Sequence, residues 1–340
     1  MPPDARATLA DIAERVGVSP STVSLTLRNK PGVSEETRQR VIQGALALGY
    51  SLKQIDDANP VDVNTIGVLA KSDGMTNHFY GPVLAGIEAV CRKRQINLLY
   101  AHLEVNDENL PVRTPRMLAE NSADGLLVAG IWLDETLLGM LRRLDVPLVL
   151  VDSYAYSGQY DTVVSDNEDG AYRATRHLIE RGHRHIAMIG ATPNAYPSIL
   201  GRRLGYQRAM SEAALPECYA DCLPRPAYIE ETLNSVLADA PQVTAFACSN
   251  DVVAIHTMQL LHRLGKHVPN DFSVTGYDDI DLASHVSPAL TTLRVDKARM
   301  GRIAVETLLD RLDHPDSASL HAVVAPELIE RASVGPPRRR

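Results

Sequence analysis

The stretch from Thr8 to Leu27 constrains this chain more than any other, because two helix-length patterns there are joined by one tight turn. It reads T8-L-A-D-I-A-E-R-V-G-V-S-P-S-T-V-S-L-T-L27. Leu9, Ile12, Ala13 and Val16 fall on one face at helical spacing. Thr8 is placed to cap that helix, with Asp11 three residues on as the acidic member of a capping box. Gly17 supplies the left-handed residue that ends it. Ser19 is the next cap, and Pro20 takes the first helical position, where a missing N–H costs nothing. Small Ala13 lets the second helix approach, and Val23 is spaced to pack back on the first. The pattern predicts a helix-turn-helix.

A third helix is expected from its cap Ser34, through acidic Glu35 and Glu36, to Leu48 before Gly49. Val41, Ile42, Ala45, Leu46 and Leu48 would form its apolar stripe. In such a unit the second helix, about 20–27, enters the major groove of DNA and presents its early side chains to base edges. Ser21, Thr22 and Ser24 are the polar candidates. The competing reading is a three-helix bundle with no nucleic-acid role.

The 340 residues, 45% hydrophobic and 22% charged, have room for two or three globular domains. The N-terminus lacks an apolar signal core and no run reaches membrane-spanning length, so a cytoplasmic protein without a membrane partner is expected. Cys91, Cys218, Cys222 and Cys248 read as reduced structural thiols, the 218/222 spacing giving only a weak metal or disulfide hint. A net charge of −8 argues against a protein that coats DNA. Residues 1–51 differ: six Lys/Arg against five Asp/Glu leave +1. Arg28, Lys30 and Arg38 belong to that basic set, from which phosphate contacts would come together with backbone amides and helix ends. The Arg338-Arg339-Arg340 run reads as a solvated tail.

Beyond Thr65, apolar runs at 66–70, 96–103, 125–128, 147–151, 185–189, 245–248 and 272–276 alternate with amphipathic stretches such as 83–93, 170–181, 204–213, 229–238, 252–264 and 299–312. This alternation predicts α/β structure with doubly wound parallel sheets, helices covering both faces. Its length favours two lobes with a cleft. Ligands of such sheets bind beyond the carboxyl ends of the strands, where Asp152, Asn250 and Asp278 each follow an apolar run and Ser198 and Arg202 open the helix after 185–189. An Arg, carboxylates and an amide at strand ends suit a polyhydroxylated ligand, whose hydroxyls both donate and accept. Asn77 and Phe79 would form the opposite wall, Phe79 stacking on a ring. Trp132 is either a wall residue or surface. Asp166 and Asp279 read better as capping or interlobe residues.

His177, His183 and His185 read as structural histidines, with no Cys or carboxylate completing a ligand set, and His256, His262 and His267 do not share a helix face. Neither a metal nor another cofactor is expected. No P-loop, nucleotide-binding Gly fingerprint or nucleophile elbow occurs, so no catalytic residue is assigned and no enzymatic role is expected.

The headpiece pattern, followed by N29-K-P-G-V-S-E-E-T-R38, resembles the lactose-repressor family of bacterial transcription regulators. Further motifs match along the chain: N77-H-F-Y, D166-N-x2-G-A171, H177-L-x3-G-H-R-H-I186, R202-x2-G-Y206, N250-D251, G276-Y-D-D279 and P288-A-L-T-T292. The resemblance implies a helix-turn-helix domain over 1–51, a hinge over 52–63, and a two-lobed periplasmic-binding-protein-like domain over 64–340. Lobe 1 would take about 64–165 plus 291–325, and lobe 2 about 166–290. It implies a homodimeric DNA-binding repressor whose operator affinity is set by a small effector, a sugar or sugar derivative, between the lobes. DNA contacts are implied at Thr8, Ser19, Pro20, Ser21, Thr22, Ser24, Leu25, Arg28, Lys30 and Arg38. Effector contacts are implied at Asn77, Phe79, Asp152, Ser198, Arg202, Asn250 and Asp278. No heptad helix follows Val334, which favours a dimer over a tetramer.

Departures stand out. The family hinge carries Pro-Asn, Ala-Arg and a wedging Leu where this chain has Leu52-Lys53, Asp56-Asp57 and Asn59. Carboxylates near phosphates repel, and Asn59 cannot act as an apolar wedge. The family usually has Arg at Leu25, Pro at His78 and, in some members, an aromatic at Lys297. The alternative is therefore a cytoplasmic solute-binding protein with weakened DNA binding.

Overall fold

The computed structural model describes residues 8–27, 33–48, 63–71, 78–106, 111–120, 122–144, 146–155, 159–223 and 225–338. Most of the expected hinge over 52–63, with Asp56, Asp57 and Asn59, together with Arg28, Lys30 and Asn77, lies outside these residues. The chain groups into two compact units, 1–64 with 309–316, and 65–308 with 317–340.

In the first unit, α1 (Leu9–Val16), α2 (Pro20–Leu27) and α3 (Glu35–Ala47) enclose Ile12, Ala13, Val16, Val23, Val41 and Ala45. The capping box forms: the Asp11 amide donates to Thr8 Oγ1 (3.3 Å) and the Thr8 amide to Asp11 Oδ2 (2.7 Å). Gly17 turns the corner at φ +72°. Its amide and that of Val18 donate to the Ala13 carbonyl at 2.9 and 3.1 Å. The Thr22 amide donates to Ser19 Oγ (3.0 Å) and the Thr37 amide to Ser34 Oγ (3.3 Å), so both expected caps are in place. Leu46 departs from its expected core position. It is 45% exposed, the core side of α3 being formed by Val41 and Ala45 with Leu48 packed against them.

The second unit runs β1 (Thr65–Lys71), α4 (Tyr80–Lys93), β2 (Asn97–Leu103), α5 (Arg116–Ala119), β3 (Gly125–Ala129), β4 (Trp132–Leu133), α6 (Glu135–Arg142), β5 (Leu148–Val151), β6 (Tyr154–Ala155) and β7 (Asp161–Ser165). It continues with α7 (Asn167–Glu180), β8 (Ile186–Ile189), α8 (Pro197–Glu212), β9 (Tyr219–Ala220), α9 (Pro226–Asp239), β10 (Ala245–Cys248), α10 (Asp251–Arg263) and β11 (Ser273–Thr275). The last elements are α11 (Asp281–His285), β12 (Thr292–Arg294), α12 (Lys297–Asp313), β13 (His321–Val324) and β14 (Glu327–Ile329).

Two parallel sheets result, ordered β13-β7-β5-β3-β1-β2 and β11-β10-β8-β9. Strands β3, β5, β8 and β10 are buried along their whole length. Helices therefore cover both faces, and the strands read as continuous apolar runs. The chain leaves the six-stranded sheet after β7 and returns after β11 through α12, which packs on α4. A Cβ at Gly86 would overlap the Ala298 carbonyl, and one at Gly301 the Val83 carbonyl. After β13 the chain crosses once more: the Val274 amide donates to the Ser333 carbonyl (2.9 Å) and the Gly335 amide to Ser273 Oγ (3.0 Å). Arg338 is not a solvated tail residue. Its guanidinium lies 4.9 Å from the Phe272 ring centre and donates to the Pro241 carbonyl (3.2 Å).

Candidate functional site

On the first unit, the caps expose Thr8, Ser19 and Pro20 to solvent while Thr22 is half-buried. Ser21, Ser24 and Leu25 lie on α2. Arg38 turns inward in part: it donates to the Thr26 carbonyl (3.1 Å) at the end of α2. Arg40 does the same to the Val16 carbonyl (2.8 Å) at the end of α1. Two guanidiniums from α3 thus satisfy carbonyls that the helix ends leave open. They tie α3 to the ends of both preceding helices.

On the second unit, a cavity of about 260 Å³ lies beyond the carboxyl ends of both sheets. The end of β1 contributes Lys71, the start of α4 contributes Phe79 and Tyr80, and the turns after β3 and β5 contribute Gly130 and Asp152. The second sheet supplies Tyr196, Ser198 and Arg202 around the start of α8, Asn250 after β10, and Asp278 after β11. Every described residue expected at an effector site is thus gathered around one space.

Arg202 organises it. Its side chain is buried, with Nε donating to Asn167 Oδ1 (2.9 Å), one terminal nitrogen to the Ser249 carbonyl (2.7 Å) and the other to Asp278 Oδ1 (2.9 Å). The guanidinium carbon sits 3.8 Å over the Tyr277 ring. A planar fork held on three sides and stacked on a fourth is a rigid donor array. Asp278 would not otherwise be stable there. Burial pushes its carboxyl above the usual range, while the Arg202 and Lys297 charges pull it back. Lys297 Nζ donates to the carbonyls of Asp278 and Asp279. That hydrogen bonding spans a strained turn, with φ +106° at Asp278 and +48° at Asp279.

Asp152 is the second carboxylate, also at positive φ (+45°). Burial raises it to about 6, against the lowering effect of the Tyr80 hydroxyl, which donates to its Oδ2 (2.8 Å). Tyr196 donates to the Asp152 carbonyl (3.0 Å) and is braced edge-on by Tyr154 and Trp132, with ring centres 5.4 and 6.5 Å away. Trp132 therefore backs the wall rather than forming it. Gly130, at φ +66°, leaves the room that Tyr80 fills. Asn250 has two tasks: Oδ1 accepts from the Val253 amide (2.9 Å) and caps α10, and the residue also lines the cavity.

Tyr80, Tyr196, Lys71 and Asn167 escaped the sequence reading. Lys71 had a usable signal, since it is the first polar residue past the run 66–70, as Asp152 is past 147–151. The tyrosines and Asn167 reach the site only through tertiary packing. Outside the cavity, both ring nitrogens of His183 are taken. Nδ1 meets Thr244 Oγ1 (2.8 Å), and Nε2 meets Ser273 Oγ (2.9 Å) and the Gly335 carbonyl (3.0 Å).

A capped helix-turn-helix and two parallel sheets around a polar cleft, on one chain, define a class: the two-part bacterial regulator. The profile of bacterial regulatory proteins of the lacI family matches residues 8–51, and that of periplasmic binding protein-like domains matches 175–334. The HTH-type transcriptional repressor PurR of Aliivibrio fischeri (strain MJ11) is 34% identical over 337 residues, 96% of this chain and 98% of that one. The ribose operon repressor of Haemophilus influenzae is 32% identical over 341 residues, again 96% and 98%. Among solved structures, the transcriptional regulator CelR–cellobiose complex superposes with a TM-score of 0.69 at 25% identity, covering 96% of this chain and all of that one. A LacI family regulator from Enterococcus faecalis V583 with bound ribose gives 0.68 at 26%, over 80% of this chain and 99% of that one. The chain belongs to the lacI family of bacterial regulatory proteins. None of its described helices is long and apolar enough to cross a membrane.

Proposed function

We propose that this protein is a homodimeric transcriptional repressor whose operator affinity is controlled by a small polyhydroxylated effector held in the cleft. Residues 1–51 would bind DNA, 52–63 would form the hinge and 64–340 would receive the effector. Thr8, Ser19, Pro20, Ser21, Thr22, Ser24, Leu25 and Arg38, with Arg28 and Lys30, are the proposed DNA contacts. Phe79, Asp152, Ser198, Arg202, Asn250 and Asp278, with Asn77, are the proposed effector contacts. The observation that carries the reading is the Arg202–Asp278 fork, 2.9 Å apart and largely shielded from solvent, lining a cavity shared by both sheets. Fixed donors beside fixed acceptors match the amphoteric hydroxyls of a sugar. A cavity of this size falls just under the range of drug-sized pockets and suits a monosaccharide-sized ligand. The relatives named as repressors, and the neighbours solved with cellobiose and ribose, support the same assignment.

The experiment is anisotropy of the full-length protein on DNA from upstream of its own gene, across a salt series, with and without a panel of sugars. The expected result is specific binding that weakens with salt and changes with one sugar class, that change being lost in Arg202→Ala. Binding equal on upstream and random DNA contradicts the repressor assignment.

A further inference from the structure

The cleft contains hydrogen-bond donors that the fold leaves unused, all on its rim or at one helix start. Lys71, the last residue of β1, lines the cavity, is exposed, and has no partner for its ammonium among the described residues. Ser198 lines the same cavity from the second sheet and is 5% exposed, yet its hydroxyl has no partner among the described residues. The Ser198 amide is likewise free. It is an orphan of the first turn of α8, where Pro197 has no N–H while Ile199 and Leu200 both donate to the Tyr196 carbonyl (2.8 and 3.0 Å). Tyr196 gives this helix end no side-chain cap. A 16-residue helix therefore begins at the cavity with one open amide and the unpartnered hydroxyl of Ser198.

Charge points the same way. Among the residues lining the cavity, Lys71 and Arg202 stand with Asp152 and Asp278, while Lys297 behind it faces Asp278, Asp251 and Asp279. Arg202 and Lys297 are already engaged with Asp278 and the carbonyls beside it. Lys71 is the cation left without an ion-pair partner among the described residues. The unused acceptors, one oxygen each of Asp152 and Asp278, need hydroxyl donors instead.

We propose that the effector is an acidic sugar, a polyol bearing a phosphate or carboxylate, with its oxyanion on Lys71 and the first turn of α8 and its hydroxyls on Asp152 and Asp278. This rests on the reading of the cleft as the effector site and names the ligand class within it. Lys71 is then the specificity-determining residue. A charge-assisted contact of this kind favours the acidic ligand over its neutral parent by about tenfold or more.

Titration calorimetry on the full-length protein tests it with matched ligands: ribose and ribose 5-phosphate, then glucose, glucose 6-phosphate and glucuronate. The phosphate and carboxylate arms distinguish the two sources of the oxyanion. At least one acidic member is expected to bind about tenfold or more tighter than its parent, less so at high salt. Lys71→Gln should erase most of that preference, with an unchanged melting temperature for the free protein, and Lys71→Arg should keep it. Arg202→Ala should abolish binding; acidic-sugar binding that survives it lies elsewhere and overturns the proposal. Neutral and acidic sugars binding alike, with Lys71→Gln indifferent, overturns the anion while leaving the effector reading intact. Binding of none of the panel overturns both.

Discussion

Arg202 and the two buried aspartates decide what the cleft costs and what it can hold. Removing the guanidinium in Arg202→Ala strips the donor from Asp278 and leaves Asn167 and the Ser249 carbonyl unsatisfied. Breaking such a buried pair costs about 3–5 kcal/mol, so chemical denaturation should show a loss of that order. Lys in its place cannot fill three positions at once and should recover little. Asp251 carries a separate consequence. Its carboxylate accepts from the Ile280 amide (2.8 Å) and Thr292 Oγ1 (2.5 Å), tying α10 to the strand that crosses back. Burial and the nearby Asp278 charge raise it to about 7. A carboxyl raised above its unfolded value adds stability at low pH and loses it as pH rises through the folded value. Buried His177 and His183, both lowered by burial, act with the opposite sign over the same range. The comparison must therefore be with Asp251→Asn. Wild type should lose stability relative to that variant between pH 5 and 7, by at most about 1.4 kcal/mol per pH unit. Parallel stability curves across that range would contradict the assignment.

At the scale of elements, close approaches decide where helices sit. Gly86 on α4 and Gly301 on α12 each leave space occupied by a carbonyl of the facing helix. Alanine at either should force the pair apart at a cost of about 1–3 kcal/mol or more, read as a shift in denaturant midpoint. Unchanged midpoints would mean the helices slide freely. The headpiece was legible because its signals are local: Thr8, Gly17, Ser19 and Ser34 each act within four residues of themselves. The core strands were legible because both their faces are covered. The run 161–165 was not: β7 alternates buried and half-buried, and its Val163 and Val164 are too short a signal alone. The edge strand β13 carries exposed Val323 at 58% and joins its sheet only through β7. Site residues at strand ends were found by position. Tyr80 and Tyr196 were not, because their hydroxyls reach Asp152 from helix starts that no periodicity marks.

For the whole molecule, the proposed coupling of an effector site to a DNA-binding headpiece should be tuned by the acidic residues of the proposed hinge over 52–63. The family resemblance implies Ala and Arg at the positions of Asp56 and Asp57. Repulsion from phosphates predicts that Asp56→Ala with Asp57→Arg raises operator affinity, by about tenfold at moderate salt, and steepens the salt dependence by about one unit. No gain would refute that role for the linker charges. The most direct test of the central claim is reciprocity. Operator affinity is measured with and without the sugar that binds the cleft, and sugar affinity with and without operator. Coupled sites must change each other by one common factor; about fivefold or more is predicted, with the same value from both titrations. Operator affinity indifferent to a saturating cleft ligand would contradict the account.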